Sequence, residues 1–216
     1  MRRLDPVRHE GKRREILEAA GRCFVRHGFK GASIAAICTE AGISPGHLYH
    51  YFASKEAIIG AMADLRLTEM AQRFHDVAAD KEAIPALLAE LRRKKSRIRQ
   101  ATPMVLELLI ESGRNPAIAK IMRESSRRMR DLLAELLRKG QASRQIDPAI
   151  EPETAATILM GVLDGLKIVA LREPKFDTEK GLVMLETMIT RFLMPPANGA
   201  QRDPGIADKR PDRALQ

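Results

Sequence analysis

An all-α fold is predicted for this 216-residue chain: a three-helix unit with helix-turn-helix logic, then a helical bundle, about nine helices together. Three observations predict it. Apolar residues recur at helical spacing almost throughout, segments open on capping residues and close on glycine, and no period-2 run is long enough for a strand. The expected division is a helix-turn-helix unit over residues 1–53, a helical body over 54–194 and a proline-rich, disordered tail over 195–216.

Arg8 to His27 places Ile16, Ala19, Ala20, Cys23 and Phe24 on one face, and Gly28 ends the helix. Ser33 caps a short helix carrying Ile34, Ile37, Cys38 and Ala41, which Gly42 stops. Ser44 caps the next, with Pro45 at its first position and Phe52 near its end. Ser54 caps a fourth, with Glu56 in the first turn, running towards Phe74. Ile84 to Leu91 leads into the basic run Arg92–Arg99. Thr102-Pro103 and Asn115-Pro116 each pair a cap with an N1 proline, predicting a short helix to about Ser112 and a long one to about Lys139, closed by Gly140. Pro152–Leu171 and Asp177–Met194 complete the set.

Composition narrows the function classes. Hydrophobic residues are 44% and charged residues 30%, a globular balance. The longest apolar run, around Ile158 to Leu163, is far short of the roughly 20 residues of a membrane span. Nothing behind Met1-Arg2-Arg3 reads as a secretory signal, so the expected compartment is the cytoplasm. Cys23 and Cys38 lack metal-ligand spacing and are expected as buried, reduced thiols. Aromatic residues are 4%, with no Trp, too few for a platform that stacks single-stranded bases. The net charge of +9 suggests a polyanionic partner. Residues 1–60 hold ten Lys/Arg against six Asp/Glu, a net of +4, and four of the five histidines.

The densest motif runs from Ala41 to Glu56. Ser33–Ala41 is a first helix, Gly42-Ile43-Ser44 a sharp turn, and Pro45–Phe52 a second helix that can enter the major groove while the first braces it. With Ile16-Leu17, Ala19-Ala20, Phe24, Gly28-Phe29, Ser33-Ile34 and Ile37, this stretch resembles the TetR family of bacterial transcriptional regulators. The family pattern A-G-V-S-x-G-x-L-Y-x-[HY]-F-x-[SN]-K-E is met throughout except for Ile43 in place of Val. Ala32 stands where Thr or Ser is common. The likeness covers about residues 13–59, and beyond them it is architectural.

The chemistry of the motif fits DNA independently. Helix N-termini bind phosphates, and Ser33, Ser44 and Ser54 each start a helix; Lys55 adds a cation. Gly46 lets a backbone approach closely, and Tyr49 and His50 can donate to phosphates. Pro45 and His47 project from the first turn, where base edges are reached, while Leu48 and Phe52 should face the core. His47 and His50, three apart with no third ligand, are not taken as a metal site, and no cofactor is expected. Arg2, Arg3 and Arg8 read either as a minor-groove arm or as a non-specific basic terminus.

One such helix reads too few base pairs to address a genome, which predicts a dimer on a palindrome. The expected dimer helix is Pro152–Leu171, with Ile158, Leu159, Val162, Leu163 and Leu166 on a core face and Thr157, Gly161, Gly165 and Ile168 on the opposite side. The last helix, with Leu182, Leu185, Met188, Ile189 and Phe192, is expected to join it, and Leu185, Ile189 and Phe192 to lie at the interface. The resemblance also implies a small-molecule pocket between central helices. Candidates are Met104, Glu107, Leu108, Glu111, Met122, Met129, Met160 and Asp164, with plain core or a solvated acidic edge as the other reading. The implied function is a ligand-responsive regulator, most simply a repressor released by its effector. The rivals are a sequence-independent DNA binder and a helical enzyme using Glu107 and Glu111. Against the enzyme, the chain has no nucleophile elbow, phosphate loop, HExxH or Cys/His dyad at useful spacing.

Overall fold

The computed structural model describes the backbone of residues 6–78, 83–173 and 175–196, and their side chains except 76–78, 94–102 and 167. The expectations for Arg2, Arg3 and the tail from residue 197 onward lie outside the described residues. The helices are α1 (Pro6–Gly31), α2 (Ile34–Ala41), α3 (Pro45–Tyr51), α4 (Lys55–Ala78), α5 (Ala83–Ser112), α6 (Pro116–Ala142), α7 (Pro152–Arg172) and α8 (Thr178–Leu193). α1 is two helices joined across a kink at Gly28 (φ 68°, ψ 177°), which makes nine helical pieces among the described residues.

Two boundaries differ from expectation. The stop and restart at Thr102-Pro103 is absent, because α5 runs unbroken through Pro103. A proline removes one intrahelical hydrogen bond and crowds the preceding turn. α5 absorbs that cost because it is anchored on either side: Ala83, Ala86, Leu87 and Leu91 lie in one core and Leu108 in another. Nor does Gly140 close α6, which continues to Ala142. The glycine is buried where α6 passes its neighbours; a Cβ there would lie 2.5 Å from Ile146 Cδ1 and 2.9 Å from the Ala83 Cβ.

The apolar residues separate into two cores. One joins α4, α5, α6, α7 and α8 through Met70, Phe74, Leu91, Leu137, Leu159, Ile189 and Leu193. The other is built on Ile16, Phe24, Ile37, Leu48 and Phe52 of the first three helices. It does not stop at residue 53, because Ile58 and Ile59 of α4, Leu108 of α5 and Ile118 of α6 belong to it. The N-terminal unit therefore shares its core with the near ends of three body helices.

Ion pairs tie the helices across the surface. Arg73 of α4 grips Glu90 of α5 with two hydrogen bonds (2.9 and 3.2 Å), and Arg92 of α5 grips Glu186 of α8 at 2.9 and 2.8 Å. α7 buries Ala155, Ala156 and Leu159 but leaves Ile158 and Val162 half-exposed, at 50% and 40%. Both were expected on the core face. Among the described residues α7 is the one helix long and apolar enough to cross a membrane by length and composition, and the protomer leaves most of its apolar stretch unburied.

A candidate nucleic-acid interface

The three serines read as caps are caps. Ser33 Oγ accepts from Ala36 N at 3.1 Å, Ser44 Oγ from His47 N at 3.2 Å, and Ser54 Oγ from Ala57 N at 3.2 Å. Between α2 and α3 the chain reverses at Gly42, whose left-handed backbone (φ 62°, ψ 39°) lets its N–H bond the carbonyls of Cys38 and Thr39. A side chain would be strained there. α3 is thus held at its start by a cap and along one side by Leu48 and Phe52, 0% and 4% exposed. Every other candidate on it points outward: Pro45, Gly46, His47 and His50 are exposed, and Tyr49 is 53% exposed. A Cβ on Gly46 would meet nothing within 4 Å, so the protein's own packing does not require a glycine there.

Two features of this face escaped the sequence reading. His9, near the start of α1, stacks on Tyr51 with ring centroids 4.6 Å apart and lies edge-on to His50 at 6.2 Å. It precedes His50 and Tyr51 by about forty residues in the chain, and the fold brings the three rings together. Arg22 and Arg26 of α1 both bind the Glu40 carboxylate, Arg22 at 2.6 Å, fixing α2 on α1. Those hydrogen bonds hold the Glu40 carboxyl below the usual range. Cys23 and Cys38 are buried in the same core, and burial pushes both thiols up.

Lys55, expected to add a cation for a phosphate, has partners inside the protein. Its Nζ donates to the Phe29 carbonyl at 2.6 Å and lies 4.3 Å from the centre of the Phe29 ring. The ammonium thereby ties the first residue of α4 to the residue after the Gly28 kink. The residues proposed for an effector pocket are displaced in a related way. Glu107 accepts the backbone N–H of Phe29 at 2.6 Å and of Lys30 at 2.7 Å. Glu111 pairs with Lys30 Nζ at 3.1 Å. Leu108 is buried in the N-terminal core, and Met104 and Met122 pack against it. Five of the pocket candidates therefore form the seam between the N-terminal unit and the body. Met129 and Met160 pack on the body core, and Asp164 lies exposed on α7. Glu56 strengthens the same seam by accepting from Asn115 Nδ2 at 3.2 Å, while Asn115 Oδ1 caps α6. An open groove in the body, about 340 Å³, lies instead between α4 and α6, lined by Thr68, Gln72, Phe74, His75, Leu132 and Glu135 among others.

The dimer candidates divide. On α7, Thr157, Gly161 and Ile168 are exposed and Gly165 half-buried, and a Cβ on either glycine would enter open space. On α8, Phe192 is 36% exposed, but Leu185 and Ile189 are 5% and 3% exposed and belong to the protomer's own core. The outward face of α8 is one step round the helix, at Val183, Met184 and Met188, each more than half exposed.

A capped turn between two short helices, with the second bare along one side, defines a helix-turn-helix DNA-binding protein carried on a helical body. Residues 16–62 match the bacterial regulatory proteins of the TetR family, and residues 66–194 match the C-terminal domain of BetI-type transcriptional repressors. The HTH-type transcriptional regulator UidR of Escherichia coli K12 is 32% identical over 161 residues, 71% of this chain and 79% of that protein. The HTH-type transcriptional repressor AcnR of Corynebacterium diphtheriae is 27% identical over 154 residues, 71% of this chain and 78% of the relative. Among solved structures, Salmonella enterica GusR superposes with a TM-score of 0.64 at 25% identity, covering 89% of this chain and 99% of that one. Reduced E. coli NemR superposes at 0.70 with 20% identity, covering 86% and 100%. The chain belongs to the TetR family: it is a DNA-binding transcriptional regulator, not an enzyme.

Proposed function

We propose that the chain is a ligand-responsive repressor that binds a palindromic operator as a homodimer in the cytoplasm. The observation that carries the reading is α3, whose Pro45, Gly46, His47, Tyr49 and His50 are exposed while Leu48 and Phe52 anchor it from behind. His47 and Pro45 meet base edges. Tyr49, His50 and the N-termini capped by Ser33 and Ser44 meet phosphates.

The dimer reading rests on exposed apolar side chains of α7 and α8. Ile158, Gly161, Val162, Gly165 and Ile168 share a side of α7, and Val183, Met184, Met188 and Phe192 line the outside of α8. An apolar surface of that length is costly in water and is met by an isologous copy of itself. The two glycines let the helix axes approach closely. The effector acts by changing the relation of the body to the N-terminal unit, and the groove between α4 and α6 offers it contact with α4. It must bind one arrangement more tightly than the other.

Selection from a pool of random duplexes at physiological salt tests the reading. Enrichment of a palindrome with half-sites about one helical turn apart is expected. Retention with no enriched sequence would overturn it in favour of sequence-independent binding, which depends on salt but not on sequence.

A further inference from the structure

The geometry points to Glu107 as the positioning residue that fixes the DNA-binding unit on the body and passes movement of α5 to it. This rests on the operator-binding reading above. α1 breaks at Gly28, in a backbone region (φ 68°, ψ 177°) open only to glycine. The two amides that follow the break, on Phe29 and Lys30, donate to the two oxygens of one carboxylate, Glu107, at 2.6 and 2.7 Å. The carbonyl between those amides, on Phe29, accepts from Lys55 Nζ at 2.6 Å. A single peptide segment is therefore held from one side by α5 and from the other by the first residue of α4. Lys30 Nζ adds an ion pair one turn along α5, to Glu111 at 3.1 Å.

Three properties make this a clamp and not ordinary packing. It is bidentate and charge-assisted, so it fixes direction as well as distance. Space around it is filled: a Cβ on Gly28 would run into Glu107 Oε2. It also sits on one of the three helices that run from the body core into the N-terminal core, since α5 enters the first at Ala83–Leu91 and the second at Leu108. The apolar contacts of the seam are non-directional and tolerate small rotations. The carboxylate does not, since a shift of about 1 Å breaks hydrogen bonds of this length.

In a dimer, the pose of each N-terminal unit sets the separation of the two α3 helices. Loosening the clamp should therefore relax the choice of half-site spacing and not merely weaken binding. The test compares wild type, Glu107→Ala and Glu107→Gln on the duplex that wild type enriches and on versions with the spacer changed by one and two base pairs. Glu107→Ala should lose at least about tenfold of the preference for the native spacing, while keeping helix content and oligomeric state. Glu107→Gln, which keeps one acceptor, should fall between. In the same proteins without DNA, hydrogen exchange at the Phe29 and Lys30 amides should accelerate at least about tenfold in Glu107→Ala, with the Phe52 amide on Leu48 unchanged. A uniform loss of affinity across all spacings, or unchanged exchange at those two amides, overturns the proposal. If wild type enriches no palindrome, the operator reading fails, and the exchange measurement alone decides whether the clamp holds the segment.

Discussion

Replacing Gly161 with leucine should move two stabilities in opposite directions. In the protomer, a Cβ on Gly161 meets nothing within 4 Å, so a larger side chain enters open space. Glycine in a helix interior costs roughly 0.5–1 kcal/mol relative to a good helix former. The isolated protomer should therefore become more stable by about that amount. In the proposed dimer the same side chain enters a contact where two helices meet, and the two-fold axis makes the intrusion occur twice. Overpacking costs about 1–3 kcal/mol per site. Two sites give roughly 2–6 kcal/mol, a loss of about 30-fold to more than 10⁴-fold in dimer affinity. Sedimentation across a concentration series gives the dissociation constant. Denaturant unfolding gives the protomer term, because the midpoint of a dimer rises with concentration and that of a monomer does not. The reasoning is refuted if Gly161→Leu dimerises like wild type, or if it unfolds more easily at concentrations where both proteins are monomeric.

Three further outcomes follow from the N-terminal unit. Tyr49→Phe leaves the half-exposed ring in place and removes one donor; operator affinity should drop about tenfold or more, the worth of a hydrogen bond to a charged group, with no change in thermal unfolding. Glu40 has a folded-state carboxyl lowered by its hydrogen bonds to Arg22 and Arg26, so its contribution is present above the ordinary carboxylate value and lost as pH falls through the lowered one. Glu40→Gln should then unfold more readily than wild type at neutral pH, and the two should converge only as pH falls below the ordinary carboxylate range, followed by circular dichroism melts. Gly28→Ala should destabilise by more than about 1 kcal/mol through backbone strain, and it also displaces Glu107. A double-mutant cycle with Glu107→Ala should be clearly less than additive, whereas additivity would separate the kink from the clamp.

What the sequence made legible was whatever depends on neighbours in the chain. Ser33, Ser44 and Ser54 announce helix starts because a cap bonds an amide three residues on. Gly42 announces the turn because only its own dihedral angles are at issue. The inward Leu48 and Phe52 follow from their four-residue spacing on one short helix. Where the sequence misled, a distant partner decided the outcome. Pro103 carries a true stop signal, overridden because α5 is anchored in cores on both sides of it. Glu107 and Glu111 were correctly placed on one face, but what that face meets is the end of α1, nearly eighty residues earlier. Lys55 has its partner at Phe29, and His9 at Tyr51. On α8, the 3.6-residue period showed an apolar helix without showing which side the body covers, so Leu185 and Ile189 were set beside Met188 as one partner face although only Met188 of the three is exposed.

The central claim is that α3 reads bases through its first turn. Repeating the duplex selection with His47→Ala tests it most directly, because His47 is exposed, its ring touches Tyr51 without being buried, and its amide still bonds Ser44. The palindrome and its spacing should persist, with the preferred base changed or lost at one position in each half-site, symmetrically. An enriched sequence identical to that of wild type would contradict the account.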